Sequence, residues 1–142
     1  MKPNGPLRKR ILLVEDNPGL REAIRLLLCL EGHAVTEVEN GRRACHFFTP
    51  GDFDLVITDY AMPEMMGDEL ARTIKCLVPS QPILMIASGE RISSRDNPVD
   101  ALLENPFRLA ELRQIVASLL SSEPPNPALS RGCGAGLRTA VE

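Results

Sequence analysis

The feature that most constrains this chain is an alternation of two hydrophobic periods. Short, nearly continuous apolar runs appear at 10–14 (RILLV), 53–59 (FDLVITD) and 83–87 (ILMIA). Runs of that length and composition fit strands buried on both faces. AVTEV (34–38) alternates as a strand does, and ALL (101–103) supplies a fifth. Between them lie segments whose apolar residues recur at helical spacing. Asn17-Pro18 opens the first helix as N-cap and first-turn proline. Leu20, Ala23, Ile24, Leu27 and Leu28 then form one stripe, and Gly32 is a stop signal. Residues 40–48 read as a short helix with Ala44, Phe47 and Phe48 inward. Residues 68–77 carry Leu70, Ala71 and Ile74 on an inner face, and Leu109, Leu112, Ile115, Val116 and Leu119 define the last helix. The polar segment 90–100 is broken by Asn97-Pro98, so the fourth of five helices is expected to be shortened. Strands alternating with helices imply right-handed crossovers between parallel strands. The expected fold is α/β: a five-stranded, doubly wound parallel sheet flanked by helices.

That pattern occupies residues 9–121 of 142, one domain with room for its own core. Residues 1–8 read as a flexible, basic N-terminal arm. It lacks the apolar stretch of a secretory signal. Residues 122–142 are rich in Pro and Gly without a period and read as a disordered tail. A net charge of −3 leaves no chain-wide footprint for nucleic acid, and no apolar run reaches membrane-spanning length. A cytoplasmic location is expected. Cys29, Cys45, Cys76 and Cys133 are too scattered for a disulfide framework or zinc site. The first three fall on helical patterns, where a free cysteine usually acts as a small buried hydrophobe. His33 and His46 are isolated and read as surface or edge residues.

Function should gather where the strands end, because open parallel sheets bind ligands beyond the carboxyl ends of their strands. The first strand ends in Glu15-Asp16, the third in Asp59, the fourth in Ser88 and the fifth in Asn105. Three carboxylates in one crevice repel one another unless a cation neutralises them. Oxygen ligands alone favour Mg²⁺, which retains water and suits phosphate chemistry. A carboxylate beside such an ion can be a nucleophile that forms an aspartyl phosphate. The Ser88 hydroxyl could then donate to the phosphoryl group. Taken singly, each carboxylate would read as a polar strand end or a helix cap.

RILLVEDNPGLREAIRLLL, FDLVITDYAMPEMMGDELARTI, ILMIASG and NPFRLAEL together resemble the receiver domain of two-component response regulators, the CheY-like fold. The resemblance covers roughly residues 9–121. Its most specific piece is DYAMPEMMG, which fits the family's D-x-x-M-P-x-M-x-G pattern. It implies that Asp59 accepts a phosphoryl group from a sensor histidine kinase or phosphotransfer protein. It implies further that Glu15, Asp16, Asp59 and the Ala61 backbone carbonyl bind Mg²⁺. Met62, Pro63 and Gly67 shape the following loop. The switch hydroxyl maps to Ser88, although counting strictly from Pro82 puts Ala87 there instead. The aromatic-switch position falls on Leu102, which has no ring to swing. The family's lysine before a Pro-Phe pair is Asn105 here, and the resemblance allows a cis bond to Pro106.

An asparagine offers neutral hydrogen bonds where the family has a charge, and charge-assisted bonds are roughly twice as strong. The expectation is a phosphorylation-controlled module that switches a protein-interaction surface for an unidentified downstream protein. It is not a conventional enzyme, does not bind nucleic acid directly or associate with a membrane, and is a monomer or weak dimer. The alternative is a degenerate receiver acting as a phosphorylation-independent interaction module. An aspartyl-nucleophile phosphatase would need a second aspartate where Ala61 stands. A flavin module would need a phosphate loop where the acidic EDNPG stands. With no second helical domain in view, the chain reads as a single-domain regulator or a receiver excised from a longer one.

Overall fold

The structure, a computed structural model, describes residues 8–90, 92 and 98–121. The elements run β1 (Arg10–Val14), α1 (Pro18–Leu30), β2 (Ala34–Val38), α2 (Gly41–Phe47), β3 (Leu55–Asp59), α3 (Gly67–Leu77), β4 (Ile83–Ala87), β5 (Ala101–Glu104) and α4 (Leu109–Leu120). The expected arm, tail and shortened helix before β5 lie wholly or mostly outside the described residues. Five strands form one parallel sheet in the order β2-β1-β3-β4-β5. The chain reverses its direction of travel across the sheet between β1 and β3, and that reversal leaves a crevice at their carboxyl ends.

Both sheet faces are covered, which is why β1, β3 and β4 read as continuous apolar runs. Ile11, Leu13, Leu55, Ile57, Leu84 and Ile86 pack beneath α1 and α4, against Ile24, Leu28, Leu112 and Val116. Leu12, Val14, Val38 and Val56 pack on the other face against Ala44 of α2 and Leu70, Ala71 and Ile74 of α3. Asn17 caps α1 by accepting from the Leu20 N–H at 3.0 Å, with Pro18 in the first turn. Gly32 ends it with φ +92°.

Three expectations need correction. Phe47 does not face inward: α2 ends there, Phe48 takes the buried place, and Phe47 stays outside with the Arg43 guanidinium 5.6 Å from its ring centroid. Cys29 and Cys76 are exposed, since each sits off the stripe defined by Leu28 and Ile74, and Cys45 is only partly buried. Finally, β3 begins at Leu55 instead of residue 53. Asp54 ties itself to Arg10, accepting the Arg10 N–H at 2.8 Å on its carboxylate and donating its own N–H to the Arg10 carbonyl.

Candidate functional site

Glu15 follows β1 directly and is held at three points. Its N–H donates to the Val38 carbonyl at 3.1 Å, its own carbonyl accepts from Arg21 Nη1 at 2.7 Å, and its Oε2 accepts from the Asn17 N–H at 3.1 Å. The remaining oxygen, Oε1, is buried and has no hydrogen-bond partner. Leaving a buried charged acceptor unsatisfied is expensive, and a bound cation is the ordinary remedy. One carboxylate oxygen from each of Glu15, Asp16 and Asp59 lies within 4.8 Å of the others. Glu15 is buried, Asp59 half-buried and Asp16 exposed.

Asp59 sits at the last position of β3, level with Ile86 of β4. Its carboxyl is pushed up to about 10, first by burial, then by Glu15 as acceptor and like charge, then by Asp16. Burial also raises Glu15, with Asp16 adding to the shift while Asp59, Asn17 and Arg21 oppose it. Two carboxylates that resist ionising together form a site awaiting a cation. An all-oxygen donor set suits a hard ion such as Mg²⁺.

The loop after β3 is folded tightly to keep Asp59 at the crevice. The Gly67 N–H reaches back to the Tyr60 carbonyl at 2.6 Å, and the Met65 N–H to the Pro63 carbonyl at 2.7 Å. A Cβ on Gly67 would land on the Asp59 carbonyl oxygen, so only glycine fits this approach. Met62 points into the core, and Met65 lies against Gly41 of α2. Pro63 is exposed at the turn, beside Glu64 at φ +71°.

Glu15, Asp16, Asp59, Ala61, Ser88 and Asn105 all line one open crevice of about 240 Å³. Ala87 does not line it. It is the last residue of β4 and is buried, whereas the alternation that brings Ile86 to the crevice wall brings Ser88 there too. Asn105 donates from Nδ2 to Ser88 Oγ at 3.4 Å, and the Asn105–Pro106 bond is cis. Leu102 stands apart on β5, half-buried and level with Met85. Sequence reasoning missed three neighbours of the site: Asn17 and Arg21, which anchor Glu15, and Glu90, which lines the crevice and accepts the Ser88 N–H at 2.6 Å. An acid just past a strand-end glycine was the available signal for Glu90.

A family model described as the response regulator receiver domain matches residues 11–117. The response regulator MprA of Mycolicibacterium vanbaalenii is 31% identical over 121 residues, which are 82% of this chain and 52% of that protein. The chain thus spans about half the length of that curated relative. The non-phosphorylated HemR receiver domain of Leptospira biflexa superposes with a TM-score of 0.78 at 27% identity, covering 84% of this chain and 99% of that one. The response regulator TrrA of Thermotoga maritima, solved in complex with Mg(2+)-BeF, superposes with a TM-score of 0.69 at 32% identity, covering 79% and 99%.

Proposed function

We propose that this chain, which belongs to the response regulator receiver family, is a signalling module in which Asp59 accepts a phosphoryl group. The observation that carries the reading is the unpartnered, buried Glu15 Oε1 beside Asp59 and Asp16. Glu15, Asp16 and Asp59, with the carbonyl of the crevice residue Ala61, would hold Mg²⁺. When bound, the ion would neutralise the carboxylates and the charge on the transferring group.

The donor is a histidine kinase or a phosphotransfer protein. An Asp59 carboxylate oxygen forms a bond to phosphorus as the bond from phosphorus to the donor imidazole nitrogen breaks. That nitrogen keeps the electron pair and takes a proton from solvent. Attack by water later releases inorganic phosphate and restores the carboxylate. Ser88 and Asn105, which line the same crevice, offer a hydroxyl and an amide to the phosphoryl oxygens. The readout is a change of surface around β4 and β5 that alters affinity for a downstream protein. Leu102 contributes aliphatic packing to it but no swinging ring. The module runs only its own phosphorylation and hydrolysis, acts in the cytoplasm as a monomer or weak dimer, and touches neither nucleic acid nor membrane itself. Among the described residues no helix is long and apolar enough to cross a membrane.

A specific observation also favours a phosphorylation-independent interaction module: among the described residues lining the crevice there is no lysine or arginine. Incubation with a small acyl phosphate and Mg²⁺, followed by intact-mass measurement of wild type and Asp59→Ala, separates the two. A phosphoryl adduct on wild type alone is expected. No adduct on wild type, despite demonstrable Mg²⁺ binding, would leave the interaction module standing and remove Asp59 as acceptor.

A further inference from the structure

Arg21 and Glu37 do not line the crevice, yet both bear on it from behind. β2 is an edge strand, and its last two residues act together on Glu15. The Val38 carbonyl accepts the Glu15 N–H at 3.1 Å. Glu37 is level with Leu13 of β1, which packs beneath α1, so its carboxylate emerges on the α1 face of the sheet. There Oε1 lies 3.4 Å from Arg21 Nε, and Oε2 lies 3.4 Å from Arg25 Nε. Arg21, one turn into α1, directs its Nη1 to the Glu15 carbonyl at 2.7 Å.

The carbonyl that Arg21 holds belongs to the peptide joining Glu15 to Asp16. A peptide group is planar, so fixing its oxygen fixes the whole plane. The residues at its two ends carry two of the three carboxylates whose oxygens gather within 4.8 Å. The guanidinium fork suits this task, because Nη1 serves the carbonyl while Nε faces Glu37. Its bond to the carbonyl is short, as charge-assisted bonds are. The same group brings a positive charge up behind a site meant for a cation, and the Glu37 carboxylate offsets that charge. Arg25 shares Glu37 and donates from Nη2 to Glu22 Oε2 at 2.9 Å, so charges of both signs alternate along the α1 face.

We infer that Arg21 is a positioning residue for the cation site: it sets the Glu15–Asp16 peptide from the rear of the crevice, while Glu37 braces it and offsets its charge. The inference rests on reading Glu15, Asp16 and Asp59 as ligands of a cation. Arg21 touches neither that cation nor a phosphoryl group. Mg²⁺ demands near-octahedral geometry, whereas Ca²⁺ accepts a range of ligand arrangements. Loss of positioning therefore falls harder on Mg²⁺ than on Ca²⁺, which separates it from a loss of stability or of charge.

Titration calorimetry with Mg²⁺ and with Ca²⁺ tests this. The fluorescence of Tyr60, the one tyrosine of the chain and next to Asp59, gives a second readout. Mg²⁺ affinity should fall about tenfold in Arg21→Ala, the scale seen when residues that orient metal ligands are removed. Ca²⁺ affinity should fall by less than about threefold. Arg21→Lys keeps the charge but not the fork, and should recover only part of the Mg²⁺ loss. Glu37→Gln leaves the Arg21 charge unmatched and should weaken Mg²⁺ about threefold in low salt and less in high salt. Added to Arg21→Ala it should cost nothing further, since Glu37 acts through Arg21. Mg²⁺ affinity within about twofold of wild type in Arg21→Ala overturns the inference, as does an equal loss for both cations. Glu37→Gln decides the matter if Arg21→Ala does not fold, and unchanged Mg²⁺ affinity in low salt then overturns it. If wild type binds no Mg²⁺, the cation-site reading fails and takes the inference with it. If the Mg²⁺ ranking holds but no protein takes up a phosphoryl group from a small acyl phosphate, the acceptor reading fails and the positioning role survives it.

Discussion

Replacing Asp59 with asparagine should stabilise the metal-free protein, although it removes the residue on which the proposed function depends. The three carboxylate oxygens lie within 4.8 Å of one another. Two unit charges at that separation repel by about 3.5 kcal/mol at an effective dielectric of ~20. Asp59 is half-buried and Asp16 exposed, so solvent screens part of this, and the folded protein escapes another part by keeping a proton on the cluster. A net gain of roughly 1–2 kcal/mol for Asp59→Asn remains, or about 4–8 °C in melting temperature for a domain of this size. Mg²⁺ should act in the opposite sense on the pair. At ten times its Kd, binding to the native state adds about 1.4 kcal/mol to wild type, whereas Asp59→Asn has lost a ligand and should gain far less.

The acid dependence has a definite sign. The Asp59 carboxyl goes from an ordinary value of 3.8 to about 10 on folding, and Glu15 is raised as well. Between those values the native state binds more protons than the unfolded chain, so stability is lost as pH rises. In EDTA, wild type should therefore fall progressively behind Asp59→Asn from about pH 4 upward, and the two should converge below it. Thermal melts in EDTA and in Mg²⁺ across this range measure all of this. If Asp59→Asn is no more stable than wild type in EDTA, or if Mg²⁺ lifts both equally, then the cluster is not a repulsive cation site.

Three further substitutions probe the frame of the site. Asn105→Lys puts a cation into a crevice lined by Glu15, Asp16, Asp59 and Glu90. It should raise metal-free stability and change the extent or lifetime of the phosphoryl adduct in an intact-mass time course; no change in either would refute the account of that position. Gly67→Ala drives a Cβ into the Asp59 carbonyl and should cost about 3 kcal/mol in chemical denaturation, the range of overpacked or strained sites. Glu64→Gly relieves a left-handed backbone at φ +71° at the loss of an exposed ion pair with Arg42, and should be stabilising by up to about 1 kcal/mol.

Much of this was legible in the residue order because burial on two sheet faces imposes a period that sequence displays directly. The same signal fails where a contact is not periodic. Phe47 and Phe48 are equally apolar, and only the end of α2 decides which of them turns inward. The start of β3 depends on a side-chain bond from Asp54 to Arg10, forty-four residues away in sequence. The choice between Ala87 and Ser88 could not be made by counting from Pro82. It is set by strand register, which aligns Asp59 with Ile86 and so leaves Ser88 on the crevice side. Glu90 was missed for a related reason, since its contact with Ser88 is made by the left-handed turn at Gly89 and not by any repeat.

Asn105 and Glu90 are two sides of one electrostatic fact. In a receiver with a lysine at the position of Asn105, a carboxylate at Glu90 would share the crevice with a cation. Here that position holds an amide, which donates to Ser88 Oγ, while Glu90 accepts the Ser88 N–H. The loss of one positive charge thus propagates. Among the described residues it leaves the crevice lining without a lysine or arginine, and a divalent ion is then a ready means of neutralising the acidic cluster. A double substitution tests whether the two residues are linked. If Asn105→Lys draws Glu90 off the Ser88 N–H, then Glu90→Ala should alter affinity for beryllium fluoride, a phosphoryl mimic, much less in the Asn105→Lys background than in wild type, because contacts that share a network do not add. An equal change in both backgrounds would show that the two residues act independently and that the amide at 105 has no part in where Glu90 rests.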